Sequence, residues 1–466
     1  MKKKTLRILH TNDLHSQLSQ WPAVVSKINE LRDEAEEEGE EVLLFDIGDH
    51  ADRVHPITEG LEGKGNVELL NRLRYDAVTI GNNEGMTFSK KQLDALYADA
   101  GFDVLVANLK DANGQKPGWA KSHRIFTTKQ GVTVGVFGVT VAYKLFYSAL
   151  GWSIEDPFEA IEEEVNLLKD QVDVLVCLSH LGLHDDERMA KQYPEIDLIL
   201  GSHTHHLLLD GEKINETWIH QCGRSGSHFG DITISFDETS HSVSLVDIHT
   251  VEVDHAHGGR DKDTEDALTE LQKRADDVLG EVVTTLPEDW ELSWEKETPL
   301  SKLLVTGLRR WCEADVAMMN AGILLEGLKK GPVTKGTLHS ICPHPINPAK
   351  VKLSGERLLE FIREAHKEEK IYKKVKGFGF RGKILGMMVY DGIDVLESPE
   401  GPLQPKDIRI LGKPLDRSAN YNVATVDMFT FGYLYPSIST VNEKTYYMPE
   451  FLRDVLAWSL RNIHLD

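Results

Sequence analysis

The 466-residue chain is poor in cysteine and has no long apolar run. Its four cysteines, Cys177, Cys222, Cys312 and Cys342, are scattered without C-x-x-C spacing. That argues against a disulfide framework and suits a reducing compartment. No window approaches the roughly 18 continuous apolar residues of a membrane span. The start, Met1-Lys2-Lys3-Lys4, is basic like the beginning of an export signal. A short charged strand follows in place of an apolar stretch, and no small-residue cleavage site comes after it. The expectation is a cytoplasmic protein with no membrane association. Basic residues are also in deficit, 52 against 75 acidic ones, for a formal net charge of −23. Such a chain repels polyphosphate backbones, so no nucleic acid polymer is expected as a partner. A small anionic substrate would need a concentrated local positive charge, which bound divalent cations can supply.

What is present reads as an ordinary globular protein, 41% hydrophobic and 27% charged, long enough for two or three domains. The first 210 residues alternate between strand and helix patterns. Leu6–His10, Val42–Ile47, Asp76–Ile80, Asp103–Ala107, Val172–Leu178 and Ile196–Leu200 read as strands. Pro22–Glu38, Asn66–Arg74 and Pro157–Asp170 read as helices, and Ser89-Lys90-Lys91-Gln92 is a capping box opening another. His123–Thr140 reads as a hairpin around Lys129-Gln130-Gly131. This pattern predicts layered α/β with buried sheets. A polar, glycine-containing stretch from Asp254 to Asp263 marks a boundary, and Thr264–Leu279 reads as a linker helix. The expected division is 1–255, a linker at 256–285, and a second α/β unit at 286–466.

Five short segments each follow an apolar strand, where α/β folds place their ligands. They are His10-Thr11-Asn12-Asp13-Leu14-His15, Asp46-Ile47-Gly48-Asp49-His50, Gly81-Asn82-Asn83-Glu84, Ser179-His180-Leu181-Gly182 and Gly201-Ser202-His203-Thr204-His205-His206. Asp13, His15, Asp49, Asn82, His180, His203 and His205 are hard-oxygen and imidazole donors. Asp-x-His and His-x-His put two side chains on one side if the segment is extended. Seven such ligands suit two cations about 3.5–4 Å apart sharing a carboxylate. Mixed nitrogen and oxygen ligation suits Mn, Zn, Fe or Co better than Ca or Mg. Singly, any of these histidines reads as a surface or core residue, as His220 and His228 do, and a G-D pair reads as a turn. Five in one order are hard to explain that way.

In that order, D-x-H, G-D, G-N-x-E, S-H and G-x-H-x-H resemble the calcineurin-like metallophosphoesterases. The wider context, including Gln221-Cys222-Gly223-Arg224, is similar to the 5′-nucleotidase family. So are Asn320-Ala321-Gly322-Ile323, Leu353-Ser354-Gly355-Glu356 and Tyr421-Asn422-Val423-Ala424-Thr425 in the second half. The resemblance implies an N-terminal four-layer α/β/β/α metallophosphoesterase domain and a C-terminal α/β substrate-binding domain. It implies that Asp13, His15, Asp49 and His205 hold one divalent metal ion. Asp49, Asn82, His180 and His203 would hold the second, with Asp49 bridging. The implied reaction is in-line attack on a nucleotide phosphoester by metal-activated hydroxide.

The departures from the family matter as much. Its G-N-H-E reads G-N-N-E here, as expected for an intracellular bacterial subgroup, so Asn83 replaces a catalytic histidine. An amide donates hydrogen bonds but cannot act as a general acid. His50 is the preferred substitute acid, with His206 behind it. Alternatively the substrate is a 2′,3′-cyclic nucleotide or a nucleotide-diphosphate compound, whose leaving group needs less help. A third reading is a metal-holding, nucleotide-binding protein with little turnover. In the second half, Leu324 stands where the family keeps an arginine, and His344 where it keeps an aromatic. Asn320, His344, Phe429 and Phe431 are the candidate substrate-binding residues.

Overall fold

The computed structural model describes residues 4–237, 242–377, 379–396 and 403–462. The chain divides into two compact units, Met1–Ala275 and Asp276–Asp466.

Two β-sheets packed face to face form the first unit. Among the described residues, one sheet runs in the order Ser242–Glu252, His228–Asp237, Lys4–Thr11, Glu41–Asp46, Ala77–Val78, Asp103–Leu105, Ala120–Lys121. The other runs Glu212–Ile214, Thr217–His220, Leu198–Gly201, Val174–His180, Thr133–Thr140, His123–Thr127. Alternate residues point to opposite faces of a strand. Leu6, Ile8, Leu43 and Phe45 of the first sheet therefore meet Val134, Val136, Val176 and Leu178 of the second in one buried core. The residues between them face outward. Phe137, Leu175, Cys177 and Ile199 bury against Phe158, Ile161 and Val165 of the helix Pro157–Leu168, and against Met189 of the helix Leu183–Gln192. The helix Trp21–Glu38 buries Val24, Ile28 and Leu31 on the far side of the first sheet. This is the four-layer α/β/β/α arrangement.

The expected hairpin forms, as His123–Thr127 pairs antiparallel with Thr133–Thr140. The expected strand Asp76–Ile80 is paired only at Ala77–Val78, because the chain then turns away to build a loop. The helix Lys262–Leu279 is not a free connector along its length. Leu271 lies against Gly65 and Ala275 against Gly60, which carries the first unit past residue 255.

The second unit is built on a five-stranded sheet among the described residues. Its order is Met388–Asp391, Val316–Asn320, Asn420–Val426, Pro348–Ser354, Lys444–Tyr446. Thr298 and Thr334 cap the helices Pro299–Trp311 and Lys335–Ile341, and Ser354 caps Gly355–Ala365. These helices bury Leu304, Leu308, Leu338, Leu358 and Ile362 in a core of its own. No described helix is long and apolar enough to cross a membrane.

Candidate metal centre

Parallel pairing brings strand ends together. Lys4–Thr11, Glu41–Asp46 and Ala77–Val78 run parallel in the first sheet, so their carboxyl ends line one edge. Val174–His180 and Leu198–Gly201 do the same in the second. Ile47 joins the two edges: its carbonyl accepts from His180 Nδ1 at 2.7 Å and from Ser202 Oγ at 2.9 Å.

The loops then leave the strands in an unfavourable conformation. Asp13, His15, Ser16, Asp49, His203 and His205 all have positive φ, between 49° and 72°. Each costs on the order of 1–2 kcal/mol for a residue with a Cβ. Such strain persists only where surrounding structure over-determines it, and it clusters at functional sites. Asp13 and His15 therefore converge through a left-handed turn rather than along an extended segment, and so do His203 and His205.

The result is a compact donor set. His205 Nε2 lies 3.4 Å and His15 Nε2 3.7 Å from Asp13 Oδ1. The two Nε2 atoms are 3.0 Å apart. Asp49 Oδ2 is 3.8 Å from His15 Nε2 and 3.6 Å from His180 Nε2. Asp13, His15 and His205 form one group able to hold a cation, and Asp13, Asp49 and His180 a second. Asp49 stands between His15 and His180 as expected of a shared ligand, while Asp13 belongs to both groups. Asn82 and His203 flank them. Asn82 Oδ1 is buried without a hydrogen-bond partner, and the His203 N–H donates to both oxygens of Asp13 at 3.1 and 3.3 Å.

The electrostatics fit divalent cations. Asp13 and Asp49 are 0% and 2% exposed, and among the described residues their ion-pair partners are histidines only. Buried carboxylates without Lys or Arg need a positive charge from elsewhere. Burial opposes ionisation of Asp49, yet the His180 and His15 rings and the Asn83 N–H outweigh it and hold the carboxyl below the usual range. Burial likewise works against a charged His180, but Asp49 and Asp13 push that ring upward. Because the Ile47 carbonyl can only accept, His180 Nδ1 carries a proton, and Nε2 is buried with no hydrogen-bond partner. A histidine locked this way through one nitrogen presents the other as a ligand.

Glu84 holds the frame. Its carboxylate accepts from the N–H groups of Asp49 (3.0 Å), Gly81 (2.9 Å) and Ala51 (2.8 Å). Burial, then Asp49, pushes it up to about 7. Glu84→Ala strands three buried donors, each worth about 1–3 kcal/mol. The expected loss is at least about 3 kcal/mol, read from urea unfolding of the full chain, together with loss of bound metal.

The candidate acids are placed unequally. The Asn83 N–H donates to Asp49 Oδ1 at 2.8 Å, and its amide lies 2.9 Å from His15 Nδ1. His50 is 3% exposed, packs edge-on against Trp21 and contacts Asn66. Burial drives it down to about 3, so it is a neutral ring at neutral pH and offers no imidazolium acid. His206 is exposed and turned to Thr204 Oγ1 at 2.8 Å. Three residues that motif reading passed over also reach the centre. Asp52 Oδ2 lies 3.6 Å from His15 Nδ1, Arg224 Nη1 lies 3.4 Å from His205 Nδ1, and Tyr143 Oη lies 3.3 Å from His203 Nε2. Only Arg224 sat in a quoted motif, and nothing local marks Tyr143.

In the second unit, Asn320 ends its strand fully buried, with Nδ2 donating to the Leu385 carbonyl at 2.8 Å. His344 is also fully buried. It donates from Nε2 to the Ile323 carbonyl (2.7 Å), accepts from the Arg381 N–H (2.8 Å) and stacks on Phe380. Phe429 is buried between Phe361 and Tyr435, so its ring faces are taken by packing. Phe431 is half-buried and Tyr433 is 94% exposed.

Imidazoles and carboxylates gathered where two packed sheets meet define a metallophosphoesterase. Residues 6–207 match the model of the calcineurin-like phosphoesterases, and residues 281–433 match that of the 5′-nucleotidase C-terminal domain. The chain belongs to the 5′-nucleotidase family of calcineurin-like phosphoesterases, which use divalent metals. The uncharacterized metallophosphoesterase YunD of Bacillus subtilis is 44% identical, covering 98% of this chain and 99% of that protein. The trifunctional nucleotide phosphoesterase protein YfkN of the same species is 26% identical over 77% of this chain, which spans 27% of YfkN. The solved structure of the Haemophilus influenzae NAD nucleotidase has the same fold. Its TM-score is 0.69 at 16% identity, with 99% of this chain and 97% of that one covered.

Proposed function

We propose that this protein hydrolyses small nucleotide phosphoesters with two divalent cations held by Asp13, His15, Asp49, Asn82, His180, His203 and His205. The observation that carries the reading is the pair of donor groups that share Asp13, with Asp49 Oδ2 3.8 Å from His15 Nε2 and 3.6 Å from His180 Nε2. Cations in this donor set lower the pKa of water beside them and neutralise charge on the phosphoryl oxygens, with Mn, Zn, Fe or Co matching the ligands. The protein's own residues do the rest. Ser202 and Ile47 fix His180, Glu84 fixes the Asp49 loop, and Arg224 adds a positive charge at the rim. In the second unit, Tyr433 projects from its loop, 94% exposed, and is the ring placed to stack on a base.

A specific observation favours the narrower reading that the leaving group is a good one. Asn83 cannot titrate, and His50 is neutral and buried. General acid assistance is worth about 10²–10⁴ in rate. Anhydrides and cyclic phosphodiesters need it least. The test is the full chain with Mn²⁺ against AMP, 2′,3′-cyclic AMP and ADP-type diphosphates. Turnover is expected on the diphosphate or cyclic compounds at least tenfold above AMP. Equal or faster release of phosphate from AMP would remove the narrower reading and leave a monoesterase. Tight nucleotide binding without turnover on any of the three would overturn the hydrolase reading.

A further inference from the structure

Tyr143 reaches the centre from the segment that leaves the second sheet. It follows the strand Thr133–Thr140 and precedes the short helix Lys144–Ala149. Residues four apart share a helix face. Tyr147, on the same face, is fully buried with its hydroxyl against Gly85 of the helix Asn82–Thr87. Gly85 leaves room for that hydroxyl, since a Cβ there would overlap it. Tyr143, the residue that caps the helix at its start, lies beside the donor set. Its ring is 43% exposed and its hydroxyl is 3.3 Å from His203 Nε2.

Hydrogen-bond direction settles what that hydroxyl can do. His203 Nε2 is occupied by Tyr143, so the nitrogen it has for a cation is Nδ1. A neutral imidazole with its Nδ1 lone pair on a cation carries its proton on Nε2. That proton is donated to Tyr143 Oη, which therefore accepts. The single phenolic hydrogen is then not spent on His203 and is left for an acceptor on the exposed side of the ring. Of the other polar groups near the centre, Asn83 is engaged with His15 and Asp49 and His206 with Thr204, while Arg224 stands beside His205 on another side.

We propose that Tyr143 is a further catalytic residue, donating its phenolic hydrogen from beside His203 to a phosphoryl or leaving oxygen of the substrate, in a centre where Asn83 supplies no titratable proton. The assignment rests on the two-cation reading above. The phenol keeps its proton throughout. The bond from phosphorus to the leaving oxygen breaks as the bond from water oxygen forms. The water loses a proton to solvent, and the leaving oxygen takes one from solvent. Tyr143 lowers the charge that builds on oxygen in between.

The test is Tyr143→Phe in the full, Mn²⁺-loaded chain, with three readouts. Mn²⁺ stoichiometry and affinity by calorimetry should stay within about twofold, because water replaces the phenol on the exposed side of His203. Inorganic phosphate should bind about tenfold more weakly, the loss of one hydrogen bond to a charged acceptor. Turnover of phenyl phosphate should fall by about 30- to 100-fold, while that of 2,4-dinitrophenyl phosphate falls less than about threefold. Equal losses on both esters with weaker Mn²⁺ binding would make Tyr143 a prop for His203 and overturn the proposal, as would unchanged phosphate affinity. If the wild-type chain cleaved neither ester, the nucleotide panel would still decide the hydrolase reading, and phosphate affinity alone would decide whether Tyr143 contacts the anion.

Discussion

Asp49→Asn abolishes metal-dependent turnover, by more than about a thousandfold, while leaving the fold intact. The substitution keeps the shape and leaves an oxygen to accept from the Asn83 N–H. It removes the negative charge that stands between His15 and His180. Without cations the variant should be less stable than the wild type at neutral pH, because His180 and His15 favour the ionised Asp49 and its loss leaves the buried His180 ring without that partner. The stability that added Mn²⁺ confers on the wild type should be missing from it, since a ligand stabilises only in proportion to its affinity for the folded state. Thermal unfolding with and without Mn²⁺, and metal content after desalting, check both halves. Full occupancy at an unchanged rate would remove Asp49 from the centre.

Gly81→Ala should be nearly as damaging, although it changes no ligand. The backbone of Gly81 has φ −93° and ψ −174°, which alanine adopts freely. The effect is therefore one of space. A Cβ at Gly81 would overlap Asp49 Oδ1 and come within 2.5 Å of the Asp49 nitrogen. Overpacking a tight site costs typically about 1–3 kcal/mol, and displacing a reacting group by about 1 Å can cost a hundredfold in rate. The expected result is a folded chain with weakened Mn²⁺ binding and at least about a hundredfold lower turnover. Gly118→Ala, with open space around its Cβ, is the control and should change neither. Wild-type kinetics in Gly81→Ala would mean that the Asp49 loop is looser than its hydrogen bonds to Glu84 imply.

Both variants bear on why so much of this site was readable in the sequence. Each of the five segments follows an apolar strand, and parallel sheets deliver all strand ends to one edge. Order along the chain therefore translates into proximity in space, and the α/β layering followed from the same alternation. The shape of the loops did not. Asp13, Asp49, His203 and His205 sit in left-handed turns that no residue type other than glycine announces. The expected extended D-x-H and H-x-H segments are left-handed turns instead, which nonetheless bring Asp13, His15 and His205 together. Tyr143 and Asp52 were invisible because they reach the centre through packing. The Tyr147–Gly85 contact carries one there, and the turn after Asp49 carries the other. His50, adjacent to Asp49 in sequence, points into the packing around Trp21 instead. In the second unit, aromatic content at 429–435 did not tell a buried ring from an exposed one. Phe429 and Tyr435 pack against Phe361, and Tyr433 projects.

The boundary between the units was legible as a change in composition, and the division between Ala275 and Asp276 falls within the expected linker at 256–285. Asp254–Asp263 is polar because it is a surface turn, not because the first unit ends there. Apolar residues on one face of the following helix, Leu271 and Ala275 among them, still belong to that unit.

The central claim is that two cations share this donor set. Crystals of the full chain grown with Mn²⁺ and measured at the manganese absorption edge test it directly. The account predicts two anomalous peaks about 3.5–4 Å apart. One should lie among Asp13, His15, Asp49 and His205, and the other among Asp49, Asn82, His180 and His203. A single peak, or two peaks neither of which touches Asp49, would contradict it.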